Sequence, residues 1–225
     1  MNSAPATITV LLVDDHPVVR KGIGQLITQE PGFQVVGEAE SAAQALEMIK
    51  GRKPDVVVLD LTLKGVSGLE LIKEIRAANL PSHVLVVSMH DERVYAERCL
   101  RLGANGYVMK EEAAETIVAA IRKVMDGGTY LSERLMSATV NRLVGGKSDQ
   151  VAGGRGAMVA SLSDRELEVF QLIGRGQTTR FIAEQLGLSV KTVEAHKANI
   201  KTKLGLRSAP DLSRLAVTWM QSQGA

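Results

Sequence analysis

Cysteine is nearly absent from this chain, which has one, Cys99, in 225 residues. An internal disulfide is excluded, and Cys99, next to Leu100 on the apolar side of a helical stretch, reads as a buried packing residue rather than a reactive thiol. Long apolar runs are also missing: each is interrupted well short of the ~20 residues that a membrane-spanning helix needs, so no membrane segment is expected. The first residues, MNSAPATITVLLVDDHP, carry no basic group ahead of their apolar piece, and two aspartates stop that piece at strand length. No secretion signal is expected there, and the chain is assigned to the cytoplasm. Nor is there a large excess of either charge, with 27 Lys+Arg against 25 Asp+Glu. The balance conceals a division along the chain. Residues 1–126 hold 14 basic and 17 acidic side chains, whereas residues 161–225 hold nine and six. The two ends are therefore expected to meet different partners, a cation or phosphodonor at the first and nucleic acid at the second.

What is present suits two small domains, each long enough to bury a core. Over residues 8–126 five short apolar runs, ITVLLV, FQVVGE, DVVVLD, HVLVVSM and GYVM, read as strands. Between and after them, residues 17–29, 42–50, 67–78, 92–102 and 113–126 repeat apolar residues at spacings of three and four, the helical period. Strand followed by helix five times, with strands apolar on both faces, predicts an α/β domain: a doubly wound five-stranded parallel sheet over residues 1–126. Residues 127–160 read as a linker with a helix near 131–144 and then a tether, GGKSDQVAGGRGAMVA, holding five glycines in sixteen residues. From residue 161 to 225 the pattern is all-helical, with helices near 163–174, 178–186, 189–203 and 210–220. Ser163 and Glu166 form a capping box for the first of these.

The stretch VVVLDLTLKG places a single carboxylate, Asp60, at the end of an aliphatic run, where it needs an exposed strand end or a cation beside it. On that stretch by itself Asp60 reads first as the opening residue of a turn. The other strands decide between these. Asp14 and Asp15 follow the first strand, Ser88 the fourth and Lys110 the fifth, and a parallel sheet would gather all of them with Asp60 on one rim. Three close carboxylates repel one another and one lysine does not balance them; a hard divalent cation, Mg²⁺, does.

In LLVDDHPVVR, VVVLDLTLKGVSGLEL, VLVVSMHDE and GANGYVMK the first domain resembles the receiver domain of bacterial two-component response regulators, a flavodoxin-like fold, over essentially all of residues 8–126. The resemblance implies that Asp60 is the phospho-acceptor for a sensor histidine kinase. It implies that Asp14, Asp15, Asp60 and the backbone carbonyl of Thr62 hold Mg²⁺, and that Ser88 and Lys110 contact the phosphoryl group. Movement of Ser88 toward the phosphate would open space for Tyr107, which otherwise reads as core packing. Thr62 and His90 are expected beside the phosphate, where they would set its lifetime; a helix-entry residue facing solvent is the other reading of His90. The sequence departs from the family at Lys64, where proline is usual four residues after the acceptor.

Residues 161–225 contain two helical segments joined at LGLS, where Gly187 can take a left-handed turn and Ser189 can cap the next helix, a helix-turn-helix pattern. Ala183 is small at the expected crossing, and Ile182, Leu186, Val193 and Ile200 supply its apolar face. SDRELEVFQLI and IAEQLGLSVKTVEAHKANIKTKLGL are similar to the LuxR-type DNA-binding domain, and the two domains together to the NarL/FixJ subfamily of transcription regulators. The helix from Val190 to Lys203 would then enter the major groove. Lys191, Thr192, Lys197, Lys201 and Lys203 are expected at phosphates, and Glu194, Ala195 and Ala198 at base edges. A phosphorylated homodimer on a two-half-site operator would supply the specificity. In the last helix Trp219 either closes the small core or pairs two DNA-binding domains. Two other readings compete. An aspartyl-phosphate hydrolase of the haloacid-dehalogenase type needs a second acid where this chain has Thr62, so an enzyme is not expected. A regulator that no longer depends on phosphate is the other.

Overall fold

The run ITVLLV forms β1 (Ile8–Val13), buried from Val10 onward. The computed structural model describes residues 7–63, 66–137, 159 and 161–223, so Lys64 and Gly65 lie outside the described residues. The alternation continues as α1 (Pro17–Gln29), β2 (Phe33–Ala39), α2 (Ala42–Arg52), β3 (Val56–Leu59) and α3 (Gly68–Ala77). It ends with β4 (His83–Ser88), α4 (Glu92–Arg101), β5 (Gly106–Met109) and α5 (Ala113–Met125). Helix starts follow local chemistry: Pro17 stands in the first turn of α1, and Ser41, Ser67 and Asp91 each accept a hydrogen bond from a backbone N–H of the helix they open.

The strands pair in parallel in the order β2-β1-β3-β4-β5. The direction of winding reverses at β1, so the carboxyl ends of β1 and β3 border the crevice where ligands of open α/β sheets bind. On one face, Val10, Leu12, Val56, Val58, Leu85, Val87 and Val108 pack under Ile23 and Ile27 of α1 and Ile117, Ile121 and Val124 of α5. Cys99 is fully buried, as its apolar neighbourhood predicts. Rigid, doubly covered strands of this kind hold the groups at their ends in fixed positions.

Beyond α5 the chain returns to the sheet. Tyr130 donates its N–H to Asn105 O (3.1 Å) and accepts from Tyr107 N (2.9 Å), forming an isolated parallel bridge to Gly106. The Ser132 hydroxyl donates to Glu92 Oε1 at 2.6 Å, and residues 133–137 are helical. The remainder of the helix expected near 131–144, and the tether as far as residue 158, lie outside the described residues.

The chain divides into two compact units, Met1–Asn141 and Arg142–Ala225. The second is built from α6 (Asp164–Gly174), α7 (Thr179–Gln185), α8 (Val190–Lys203) and α9 (Ala209–Gln223). The capping box on α6 is formed in both directions, Ser163 accepting from Glu166 N and Glu166 from Ser163 N. Leu167, Phe170, Ile182, Val193, Ile200, Leu212 and Ala216 make its core. Trp219 belongs there too: it is 7% exposed and meets Phe170 edge-on with ring centroids 5.7 Å apart. Of the two roles open to it, closing the core is the one the packing supports.

Candidate functional site

The ends of β1 and β3 are joined by the hydrogen bond from Asp60 N to Val13 O, 2.8 Å, which sets the Asp60 carboxylate beside the Asp14–Asp15 turn. Lys110, held at the end of β5 by its N–H on Ser88 O, extends its ammonium between two acids, with Nζ 2.7 Å from Asp14 Oδ2 and 2.7 Å from Asp60 Oδ2. One ligand-type atom from each of Asp14, Asp15, His16 and Asp60 lies within 4.8 Å of the others, a group able to hold a metal ion. His16 was not singled out in the sequence and is the exposed member of the four. Asp15 Oδ1 is buried and accepts no hydrogen bond, its 2.8 Å approach to His16 Nδ1 notwithstanding. A buried carboxylate oxygen without a donor suits a cation.

Burial pushes the Asp60 carboxyl up to about 6; the nearby Lys110 ammonium and its hydrogen bond work against this, and the Asp14 carboxylate adds to it. Burial works against the Lys110 charge, yet Asp60 and Asp14 more than offset it and hold the ammonium above the usual lysine value. The rim therefore carries one firmly charged cation facing several acids.

Next to it, His90 is held on three sides. Its N–H donates to Ser88 Oγ at 3.2 Å, its carbonyl accepts from Tyr107 Oη at 2.7 Å, and its Nε2 lies 3.1 Å from Thr62 Oγ1. The ring also stacks on Tyr95 with centroids 4.7 Å apart. His90, half-buried, is thus held against Thr62, Ser88, Tyr95 and Tyr107 rather than turned freely to solvent. Ser88 and Tyr107 are both fully buried, so the tyrosine already occupies the interior.

Besides His16, two positions escaped the sequence reading. Arg20 falls in register with Ile23 and Ile27 on the buried face of α1, and that register was the available signal. Gly68 opens α3 against the loop after β3: a Cβ there would lie 2.4 Å from Asp60 O and 2.7 Å from Leu61 Cα. Gly68→Ala is expected to displace that loop, costing about 1–3 kcal/mol by overpacking. A denaturant melt checks this, and an unchanged midpoint would mean that the loop adapts without cost.

In the second unit α7 and α8 meet through Gly187, whose φ of 62° is the left-handed turn expected of it, and Ser189 caps α8 by accepting from Thr192 N. Val193 and Ile200 face inward, leaving Lys191, Thr192, Glu194, Ala195 and Ala198 exposed and Lys197 and Lys201 half-buried. Glu194 is engaged: Thr179 Oγ1 donates to its Oε1 at 3.0 Å, and Lys197 Nζ lies 3.1 Å from the same atom, which holds the carboxyl below its usual range. The Lys203 ammonium closes on the buried Glu166 at 2.6 Å and so ties α8 to α6.

Residues 10–122 match the response regulator receiver domain family and residues 160–216 the luxR family of bacterial regulatory proteins. The chain is 38% identical over 209 residues to the oxygen regulatory protein NreC of Staphylococcus aureus (strain MRSA252), covering 92% of this chain and 96% of that one. A two-component response regulator of the LuxR family from Aurantimonas sp. SI85-9A1 is 35% identical, covering 62% of this chain and 99% of its own, at a TM-score of 0.58. RcsB of Salmonella enterica serovar Typhimurium, solved on the rprA promoter with the phosphomimetic BeF3-, is 26% identical, covering 94% of this chain and 98% of its own, at a TM-score of 0.62.

Proposed function

The chain belongs to the NarL/FixJ-type response regulators, transcription regulators of two-component systems that join a receiver to a LuxR-type DNA-binding domain, and we propose that Asp60 is its phospho-acceptor. The observation that supports this most directly is the Lys110 ammonium lying 2.7 Å from both Asp60 and Asp14 at the switch point of the sheet. A carboxylate oxygen of Asp60 attacks phosphorus, and the bond to the histidine nitrogen of a kinase breaks with its electron pair leaving on that nitrogen. Asp14, Asp15, Asp60 and the Thr62 carbonyl would hold Mg²⁺, which when bound neutralises charge on the phosphoryl oxygens. Lys110 supplies a fixed positive charge toward the same oxygens, and the strand end fixes the nucleophile, so the chemistry is positioning and electrostatics.

Phosphate on Asp60 adds about −1.5 to −2 charges and new acceptors within reach of Ser88. If the Ser88 side chain swings toward it, its Oγ is carried away from His90 N and the hydrogen bond from that N–H is given up while Tyr107 still holds the His90 carbonyl. Rearrangement at His90 is therefore the route by which Tyr107 senses the phosphate, whose lifetime Thr62 and His90 influence. For output, homodimers would bind a two-half-site operator through α8. Lys191, Thr192, Lys197, Lys201 and Lys203 would meet phosphates, and Glu194, Ala195 and Ala198 base edges. Because Lys203 also secures Glu166, its loss would weaken the fold as well as binding.

The test is operator binding by the parent protein and Asp60→Asn, each with and without acetyl phosphate and Mg²⁺. Affinity is expected to rise tenfold or more, about 1.4 kcal/mol, only for the parent with phosphodonor. Equal affinity and equal oligomeric state in all four arms would overturn the switch.

A further inference from the structure

We infer that Arg20 is the positioning residue that fixes the Asp14–Asp15 turn in its metal-binding geometry, with Glu38 and Glu40 acting through it; this rests on the acid rim being the Mg²⁺ site. Arg20 lies on α1, one turn past Pro17, and is only 7% exposed. A charged side chain is buried on a helix only where its donors are matched. All three bonded nitrogens of Arg20 are matched. Nη1 donates to Asp14 O at 2.6 Å, Nε to Glu38 Oε2 at 2.7 Å and Nη2 to Glu40 Oε1 at 2.8 Å.

These partners differ in kind. Glu38 is in β2 and Glu40 just beyond it, both partly exposed, whereas the Asp14 carbonyl is the peptide group between the two metal-site acids. Side chains of consecutive residues in an extended strand point to opposite faces. Asp14 and Asp15 bring oxygens to one place because the chain leaves β1 in a turn, and rotating the peptide between them would swing the carboxylates apart. Asp14 N–H is held by Ala39 O at 3.1 Å, and Arg20 holds its C=O, so the peptide groups on both sides of Asp14 are fixed, one from β2 and the other from α1. The guanidinium charge is already balanced by Glu38 and Glu40. What it gives the rim is orientation, and counter-charge there is left to Lys110. A lysine at position 20 could not reproduce a planar fork spanning three acceptors.

The experiment is Mg²⁺ binding by calorimetry on the full chain, paired with Asp60 phosphorylation by acetyl phosphate as Mg²⁺ is varied. Arg20→Met and Arg20→Lys are both expected to weaken Mg²⁺ about tenfold, the range seen when groups that orient metal ligands are lost. Phosphorylation at saturating Mg²⁺ should return to about half the parent rate or better, because the nucleophile and Lys110 are untouched. A generally damaged fold would not be rescued by metal in this way. Glu38→Gln with Glu40→Gln, at more exposed positions, should shift Mg²⁺ affinity in the same direction by a smaller factor, and it decides the matter if Arg20→Met does not fold. Parental Mg²⁺ affinity in folded Arg20→Met, or in the double glutamine variant, would overturn the role of Arg20. Absence of Mg²⁺ binding by the parent would instead overturn the site on which it rests.

Discussion

A Lys110→Met variant is expected to phosphorylate Asp60 about a hundredfold more slowly than the parent at pH 7, the scale set by losing one preorganised electrostatic donor. Two effects add. The phosphoryl oxygens lose a cation held by two acids at 2.7 Å, and Asp60 loses the group that resists its protonation. With Lys110 present, burial already lifts Asp60 to about 6. Without it, desolvation and Asp14 are opposed only by the hydrogen bond from the Thr62 backbone, the value rises further in the metal-free protein, and a larger share of Asp60 is protonated and non-nucleophilic at neutral pH. At limiting Mg²⁺, where proton and metal compete for Asp60, the variant should therefore recover part of its rate as pH is raised from 7 to 8.5, where the parent is flat.

Linkage gives a second signature of the same change. An acid whose folded value lies above its unfolded one loses stability as pH rises from the unfolded value, here 3.8, through the folded value near 6. In Lys110→Met that loss should continue to higher pH. The penalty stays below the 3–5 kcal/mol of a broken buried ion pair, because Asp60 can take up a proton instead. Acyl-phosphate formation with acetyl phosphate, followed across pH on phosphate-affinity gels, checks the rate. A parental rate at pH 7 would remove Lys110 from the chemistry.

Trp219→Ala carries the largest expected cost in stability. Truncating a buried tryptophan removes about 3–5 kcal/mol, and a domain of about 60 residues has little more than that in total. The helical unit should be largely unfolded at 37 °C and DNA binding lost, while phosphorylation of Asp60 serves as an internal control for the first unit. Thermal melts by circular dichroism at 222 nm read this directly, and Trp219→Phe should retain much of the transition through its contact with Phe170. Were the side chain to act between two copies instead, Trp219→Ala would melt like the parent and lose only dimer affinity.

The sequence made some of this legible and left the rest hidden, for separate physical reasons. Unbroken aliphatic runs such as VVVL announce buried parallel strands, and strand polarity then brings Asp14, Asp60 and Lys110 together by topology. Arg20 was missed because an arginine on a helix is usually solvated, and only its register with Ile23 and Ile27 marks it as buried. Gly68 was missed because the approach of its Cα to Asp60 O depends on the path of a loop, which has no period to read. For Tyr107 the sequence identified the residue but not its position, since two packings of one ring share one sequence; the ring lies inside, anchored on His90 O. Lys203 reads in the sequence only as a contact to DNA phosphate, because its ion pair with Glu166, 37 residues earlier, has no local pattern.

The return of Tyr130 to β5 bears on how the molecule behaves in a crowded solution. A strand at the border of a sheet is a template for any extended segment that can satisfy its amides and carbonyls, and proteins shorten or cover such borders to prevent it. β5 is only four residues long, and the positions most able to start a new ladder, Tyr107 N and Asn105 O, are occupied by Tyr130. The backbone of β5 around Tyr107 is thereby withdrawn from aggregation through strand addition.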